Sequence, residues 1–167
     1  MPLIIWFLLN NSFLIAAIII IIVGLTDFLD GFIARKYNSE TIFGFYLDAI
    51  ADKVLIVSIY LILGIKLLIP SYLIILIVFR ELLISGSYLL GAILDFKANL
   101  KPILVSKINT FLQILLTIFT CLFAIGELGE IKEFFIISTF LIVVVTITTI
   151  VSSVIYIIMW LKAVNNK

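Results

Sequence analysis

The sequence predicts an all-α integral membrane protein, a six-helix transmembrane bundle whose first helix is truncated. Of its 167 residues, 65% are hydrophobic and 13% are charged, whereas soluble proteins carry roughly 45–50% apolar and about 25% charged residues. So few polar side chains could not cover a water-facing surface, which excludes a soluble domain. Apolar runs of about 20 residues, the length that a helix needs to cross a bilayer, recur between short polar stretches. Helices are predicted because an isolated strand cannot satisfy its backbone in lipid.

Five full spans are predicted, each an apolar run bounded by polar residues, and together they make residues 1–167 a single membrane domain. They cover residues 12–34, 44–64, 70–92, 103–125 and 134–161. The earlier apolar stretch Pro2–Leu9 would rise only about 12 Å as a helix, so we expect a truncated first helix there. A signal peptide is the alternative, but this stretch has neither a basic start nor a small-residue cleavage site.

The polar composition excludes several classes of site. A net charge of +1 gives no field for nucleic acid. The single Cys121 excludes a disulfide framework and a thiolate metal site. Without any His, neither a Ser-His-Asp triad nor a His-ligated zinc can form. Any chemistry must therefore come from carboxylates, hydroxyls, Lys and Arg.

Lys and Arg are unevenly distributed between the two ends of the predicted spans. Eight of the 11 lie at one end: Arg35, Lys36, Lys53, Lys97, Lys101, Lys107, Lys162 and Lys167. Because basic residues concentrate on the cytoplasmic side, that end is predicted to face the cytoplasm. A bacterial inner membrane suits this orientation.

Four aspartates lie inside the predicted spans, where charged side chains are costly and mark functional sites. Asp27 and Asp30 are three residues apart near the end of one span, and Asp48 and Asp52 are four apart near the start of the next. Both spacings place a pair on one helix face. The short connection predicts antiparallel neighbouring helices, so the four carboxylates are expected to cluster. Oxygen ligands without His or Cys favour Mg²⁺ or Mn²⁺, usually bound together with substrate phosphates.

Small and cationic residues accompany these aspartates along the same helices. Small residues open a slot between helices, and an Arg at its rim can grip a phosphate. The alternative is that the small residues only pack helices and that single aspartates pair with Lys53 or Arg35. The complete set predicts a diphosphate site. The accompanying residues are Gly31, Ala34, Arg35 and Gly44.

The segment from Asp27 to Asp52 resembles the signature of the CDP-alcohol phosphatidyltransferases, D-x-x-D-G-x-x-A-R, eight residues, then G-x-x-x-D-x-x-x-D. Every fixed position of that signature is present. The similarity extends through Lys107-Ile108-Asn109-Thr110 to Gln113, which is about half the chain. The closing span and Pro2–Leu9 match only in hydropathy.

The resemblance implies a six-helix membrane enzyme, usually a homodimer, that transfers a phosphatidyl group from CDP-diacylglycerol to an alcohol and releases CMP. It implies that Asp52 is the general base for the attacking hydroxyl, a reaction that needs no covalent enzyme intermediate. The implied ligands of one or two Mg²⁺ or Mn²⁺ ions are Asp27, Asp30, Asp48 and Asp52. The implied contacts of the cytidine diphosphate moiety are Asp27, Gly31, Ala34, Arg35 and Gly44.

The acceptor alcohol is expected to be selected by later polar residues, namely Arg80, Lys107 and Lys101. The stretch from Arg80 to Ser85 resembles phosphatidylglycerophosphate synthases, which take glycerol 3-phosphate. Those enzymes commonly have a further Arg and Lys where this chain has Tyr88 and Asn109. The segment 100–110 is instead similar to the cardiolipin synthases of the family, so phosphatidylglycerol is slightly favoured and glycerol 3-phosphate is the alternative. Arg80 could also serve only as an ion-pair partner that holds helices together.

Two other functional classes compete with the enzyme. Intramembrane carboxylates also serve small divalent-cation or proton-coupled transporters. Transporter sites usually lie near the midplane in corresponding halves of the chain, whereas all four aspartates here lie near one face. A structural membrane subunit would not need the intact aspartate set. The sequence therefore favours the phosphatidyltransferase, with membrane lipid as its surroundings and no nucleic-acid partner.

Overall fold

The computed structural model describes residues 2–37, 42–93, 104–125 and 132–165, with side chains for 2–26, 51–86, 104–125 and 133–162. This part of the chain folds into six α-helices. They are α1 (Pro2–Leu9), α2 (Phe13–Tyr37), α3 (Ile42–Ile65), α4 (Ser71–Ile93), α5 (Leu104–Phe123) and α6 (Lys132–Asn165).

The helices confirm the all-α prediction within the described residues. Each of the five predicted spans corresponds to one helix, with ends that agree to within a few residues, because each apolar run stops at polar residues. The predicted short first helix is α1, and its Ile4 and Leu8 are buried against the rest of the bundle. Length and apolar composition alone single out two described helical segments as able to cross a membrane, 104–123 and 133–162, with a shorter apolar helix over 13–26.

The helix α5 lies at the centre of the described bundle. It packs against α6, α2 and α3, while α4 packs against α3 and α6. The short α1 lies against α2 and α3. Buried Leu, Ile and Ala side chains from α1 to α5 form one hydrophobic core that also includes residues of α6.

The turn between α1 and α2 is joined to the far end of α3. Asn11 has a positive φ of 58°, a conformation that Asn adopts more readily than most residues. Lys66, just after α3, donates one hydrogen bond to the Leu9 carbonyl (3.2 Å) and another to the Asn11 side chain. The Lys66 ammonium also lies 5.6 Å from the Phe13 ring centroid. These contacts fix α1 beside α3.

Gly64 of α3 packs directly against the Ile74 side chain of α4. A Cβ atom added there would overlap the Ile74 Cδ1 atom. We expect Gly64→Leu to lower the free energy of unfolding in detergent by about 1–3 kcal/mol, the usual cost of overpacking.

Two variants test this explanation of Gly64. Gly86→Leu is the matched control, because no described atom lies within 4 Å of a Cβ at that position, and it should cost less. Adding Ile74→Ala to Gly64→Leu should recover part of the loss, since contacting positions couple. If Gly64→Leu and Gly86→Leu lowered the free energy of unfolding equally, the packing explanation would be contradicted.

Candidate functional site

A cavity of about 180 Å³ lies between α1, α2, α3 and α5. Its α3 wall is a stripe spaced as one helix face, namely Asp52, Leu55, Ile56, Ile59 and Tyr60. Its α5 wall supplies the polar side chains of Thr110, Gln113 and Thr117. The remaining lining residues are Ile, Val and Gly. We call this space the Asp52 cavity.

Asp52 marks the polar end of the cavity. It is exposed and is followed by the partly buried Lys53. Tyr60 lies eight residues further along α3, which is about 12 Å deeper along the helix axis. The cavity therefore extends from a carboxylate into the apolar interior of the bundle.

At the deep end, the buried Tyr60 hydroxyl joins α3 to α5. The Tyr60 hydroxyl donates a hydrogen bond to the Gln113 carbonyl oxygen (3.0 Å). The Thr117 hydroxyl donates to the same oxygen (3.0 Å). The Gln113 side chain is fully buried, yet neither its Nε2 nor its Oε1 atom has a hydrogen-bond partner among the described residues.

A buried polar cluster, the Arg80 cluster, joins α4 to α5 and α6. It consists of Arg80, Glu81, Ser106, Thr110 and Ser152. The Arg80 guanidinium, only 1% exposed, forms an ion pair with Glu81 and donates to the Ser106 hydroxyl. It also donates to the Ser106 carbonyl (3.1 Å), the Ser152 hydroxyl (3.4 Å) and the Thr110 hydroxyl (3.5 Å). Because Thr110 also lines the Asp52 cavity, the cluster adjoins the cavity wall.

Asn109 faces α6. Its side-chain oxygen accepts hydrogen bonds from the hydroxyls of Thr148 (2.6 Å) and Thr149 (3.0 Å). Asn109 is 0% exposed, and it is not among the residues that line the Asp52 cavity. This position therefore serves helix packing in the described structure.

The side chains of seven residues of the predicted nucleotide and metal site lie outside the described residues. Their helical backbone is described: positions 27, 30, 31, 34 and 35 belong to α2, and positions 44 and 48 belong to α3. These residues are Asp27, Asp30, Gly31, Ala34, Arg35, Gly44 and Asp48. Position 27 follows the lining residue Val23 by four, and position 48 precedes Asp52 by four. Helical periodicity therefore aligns both positions with the cavity-lining faces of their helices.

The predicted contact between α2 and α3, next to their short connection, lies outside the residues with described side chains. Farther from the connection, α1 and α5 each contact both helices, and the Asp52 cavity lies between Val23 and Gly24 of α2 and Asp52 of α3. In the part of the chain with described side chains, no three carboxylate or thiol groups are grouped so that they could hold a metal ion. The four-carboxylate cluster stays a prediction, because three of its members lie outside that part.

The three predicted acceptor residues differ in their placement. Lys101 lies outside the described residues, and Lys107 is exposed near the start of α5. Arg80 is buried in the Arg80 cluster and forms the ion pair with Glu81 that the sequence left as an alternative. Contact with an acceptor stays a prediction for all three.

Sequence reasoning missed Tyr60, Thr110 and Gln113 as lining residues of the site. A signal existed in α5, where polar residues recur at helical spacing through an otherwise apolar span. Such residues are Ser106, Asn109, Thr110, Gln113, Thr117 and Thr120. Polar side chains in membrane helices usually face other helices or a cavity, but their spacing does not identify which neighbour they face.

A family model for CDP-alcohol phosphatidyltransferase matches residues 1–165. Among curated relatives, the chloroplastic CDP-diacylglycerol–glycerol-3-phosphate 3-phosphatidyltransferase 1 of Oryza sativa subsp. japonica is 36% identical over 132 residues, covering 69% of this chain and 40% of the relative. The Rickettsia felis protein of the same enzyme name is 38% identical over 109 residues, covering 64% of this chain and 59% of the relative.

A relative named for another activity is the cardiolipin synthase (CMP-forming) of Rattus norvegicus. It is 34% identical over 131 residues, covering 69% of this chain and 43% of the relative. The matches thus span about half the length of these curated relatives. The family model covers nearly all of this chain, and it agrees with the signature that runs from Asp27 to Asp52 on α2 and α3. This chain belongs to the CDP-alcohol phosphatidyltransferase family.

Proposed function

We propose that this protein transfers a phosphatidyl group from CDP-diacylglycerol to glycerol 3-phosphate and releases CMP. The observation that carries the proposal is the complete family signature from Asp27 to Asp52, on the two helices that flank the Asp52 cavity. The exposed position of Asp52 on the cavity wall supports it, because a substrate could reach this carboxylate from the polar end.

Glycerol 3-phosphate replaces the phosphatidylglycerol acceptor that the sequence alone slightly favoured. The rice and Rickettsia relatives are both named for transfer to glycerol 3-phosphate. One argument against this acceptor was Asn109, which stands where such enzymes commonly have Lys. Since Asn109 is bonded to Thr148 and Thr149 of α6, its identity says little about the charge of the cavity.

Two lysines outside the Arg80 cluster support an anionic acceptor. Lys107 is exposed on α5, and Lys101 precedes that helix; both would add positive charge at the cytoplasmic end, which favours a phosphomonoester over the less charged phosphodiester. The Arg80 guanidinium is hydrogen-bonded to Thr110 of the cavity wall, but its charge is offset by the ion pair with Glu81.

The reaction requires one proton transfer and one exchange of bonds at phosphorus. Asp52 accepts the proton of the acceptor hydroxyl as that oxygen attacks the phosphorus that bears the diacylglycerol. The bond from this phosphorus to the CMP oxygen breaks, and CMP leaves with the bonding electron pair. The proton on Asp52 then passes to water, which restores the carboxylate.

The oxygen-only ligand set fits Mg²⁺ or Mn²⁺, because hard cations prefer carboxylates and no His or Cys is at hand in the signature. Asp27, Asp30, Asp48 and Asp52 would hold the ions, and the exposed Asp52 carboxylate shows an oxygen donor at the cavity wall. Bound cations would offset the negative charge that develops on the leaving diphosphate oxygen. Gly31, Ala34, Arg35 and Gly44 would contact the cytidine diphosphate moiety.

We propose that the protein lies in a bacterial inner membrane with its active site at the cytoplasmic end. Two apolar helices long enough to cross a membrane and the excess of Lys and Arg at one end support this placement. We also propose a homodimer, for which the family resemblance is the support.

The acceptor is tested with the purified full-length protein, CDP-diacylglycerol and Mg²⁺. One reaction receives labelled glycerol 3-phosphate and a second receives labelled phosphatidylglycerol, and the lipid products are separated by chromatography. We expect labelled phosphatidylglycerophosphate in the first reaction, together with an equal amount of CMP, and no labelled cardiolipin in the second.

A second candidate function is cardiolipin synthesis, which the rat relative and the sequence of segment 100–110 favour. Labelled cardiolipin without labelled phosphatidylglycerophosphate would replace glycerol 3-phosphate with phosphatidylglycerol as the acceptor. No product in either reaction would contradict both functions.

A further inference from the structure

The Gln113 carboxamide, at the wall of the Asp52 cavity, has no hydrogen-bond partner among the described residues. Gln113 is 0% exposed, and both side-chain polar atoms lack a hydrogen-bond partner within the described residues. Leaving such a group unpaired in a protein interior costs free energy comparable to a lost hydrogen bond. Unsatisfied buried groups are rare, and each calls for an explanation such as a bound molecule.

The size and lining of the cavity indicate what could pair with Gln113. Its volume of about 180 Å³ is similar to that of an engineered apolar cavity of about 150 Å³, which binds benzene. Apart from Asp52 and the polar residues of α5 and Tyr60, the lining is apolar. An organic segment with a single polar group suits this space better than water alone.

Gln113 lies at the depth in the cavity where the ester between the lipid headgroup and its acyl chain is expected. The Gln113 carbonyl oxygen accepts a hydrogen bond from Tyr60, whose Cα lies about 12 Å beyond the Asp52 Cα along α3. Because side chains on α3 point back toward its N-terminus, the Tyr60 hydroxyl and Gln113 lie less than this distance from Asp52. In a phosphatidyl group, a few covalent bonds separate the phosphorus from the acyl ester.

We infer that the Gln113 carboxamide binds an acyl ester of the phosphatidyl donor and that the adjoining apolar cavity receives the start of that acyl chain. This inference rests on the proposed function, and it adds a residue that selects ester-linked lipid. One N–H of the carboxamide donates to the ester carbonyl oxygen. The carboxamide oxygen, with which an ester cannot pair, accepts from a water molecule admitted with the polar glycerol segment.

The test compares two donor lipids that differ only at this linkage, CDP-diacylglycerol with ester-linked chains and CDP-dialkylglycerol with ether-linked chains. Equilibrium binding of each lipid to the purified full-length protein in detergent gives a Kd that needs no turnover. We expect the wild-type protein to bind the ester lipid about threefold to tenfold more tightly, the range of one neutral hydrogen bond. Gln113→Met, which keeps the length of the side chain without its polar atoms, should remove this preference.

Control variants separate ester recognition from packing. Thr120→Val is the matched control on α5, because Thr120 is buried, donates to the Leu116 carbonyl and does not line the cavity. It should keep the preference for the ester lipid. Should Gln113→Met fail to fold, Gln113→Leu also removes both polar atoms with a smaller apolar side chain, and it should lose the same preference.

Equal wild-type affinities for the two lipids would overturn the inference while leaving the proposed function intact. So would a Gln113→Met variant that binds both lipids less tightly by the same factor, since that result means packing alone. Failure of the folded wild-type protein to bind either CDP-lipid would instead contradict the proposed function itself.

Discussion

Asp52→Asn is expected to lower kcat for CMP release by at least about 100-fold, the smaller end of the range for losing a general base. Binding of CDP-diacylglycerol should change little, because the carboxylate is proposed to act on the acceptor hydroxyl. The two quantities are measured on the same purified variant, kcat from initial rates of CMP release and Kd from equilibrium binding of the lipid.

The control for this variant is Glu133→Gln, which removes a carboxylate from an exposed position at the start of α6, outside the cavity lining. It should keep wild-type kcat. A titration with Mg²⁺ separates the two roles proposed for Asp52, because a lost metal ligand is partly overcome by more metal and a lost base is not. Unchanged CMP release in Asp52→Asn would remove this residue from the mechanism.

Arg80→Met is expected to lower the free energy of unfolding by about 3–5 kcal/mol, because it leaves the buried Glu81 carboxylate without its partner. Both side chains of the pair are nearly inaccessible, 1% and 5% exposed. The hydrogen bonds to Ser106 on α5 and Ser152 on α6 are lost as well. Denaturant unfolding in detergent micelles, monitored by circular dichroism, gives the difference.

The double variant Arg80→Met with Glu81→Leu should recover much of this loss, since apolar replacement of a whole buried ion pair is often neutral. Lys162→Met serves as the control for removing a cation from an exposed position and should change stability little. A stable Arg80→Met protein with a raised KM for glycerol 3-phosphate would contradict the packing role and identify Arg80 as an acceptor ligand.

The helices could be predicted from sequence because membrane-length apolar runs are interrupted only by short polar stretches. The described helix α4, Ser71–Ile93, lies within one residue of the predicted 70–92 at each end. The short α1 also followed from the length of its apolar run. Both features depend on local composition, which the bilayer requirement converts directly into helix length.

Tertiary neighbours could not be predicted in the same way. The short connection predicts that α2 and α3 are neighbours, but it does not indicate that α1 and α5 contact both helices or that a cavity lies between Gly24 and Asp52. The partners of Arg80 on α5 and α6 lie 26 and 72 residues away in sequence. No local pattern identifies such partners, because they depend on how whole helices pack.

Gln113 illustrates the limit of motif-based reasoning. The sequence places it at the end of the region similar to the family, which identifies the position without its role. Its buried carboxamide and the cavity beside it become visible only when α3 and α5 are packed together. The functional meaning of a polar residue in an apolar span therefore depends on the space that it faces.

The most direct test of the proposed function is metal-dependent release of CMP by the purified protein from CDP-diacylglycerol and glycerol 3-phosphate. We expect release with Mg²⁺ or Mn²⁺, none with EDTA, and recovery when excess metal is restored. Release should also require the acceptor, because a hydroxyl must attack before CMP leaves. A folded protein that binds both substrates but releases no CMP at any metal concentration would contradict the account.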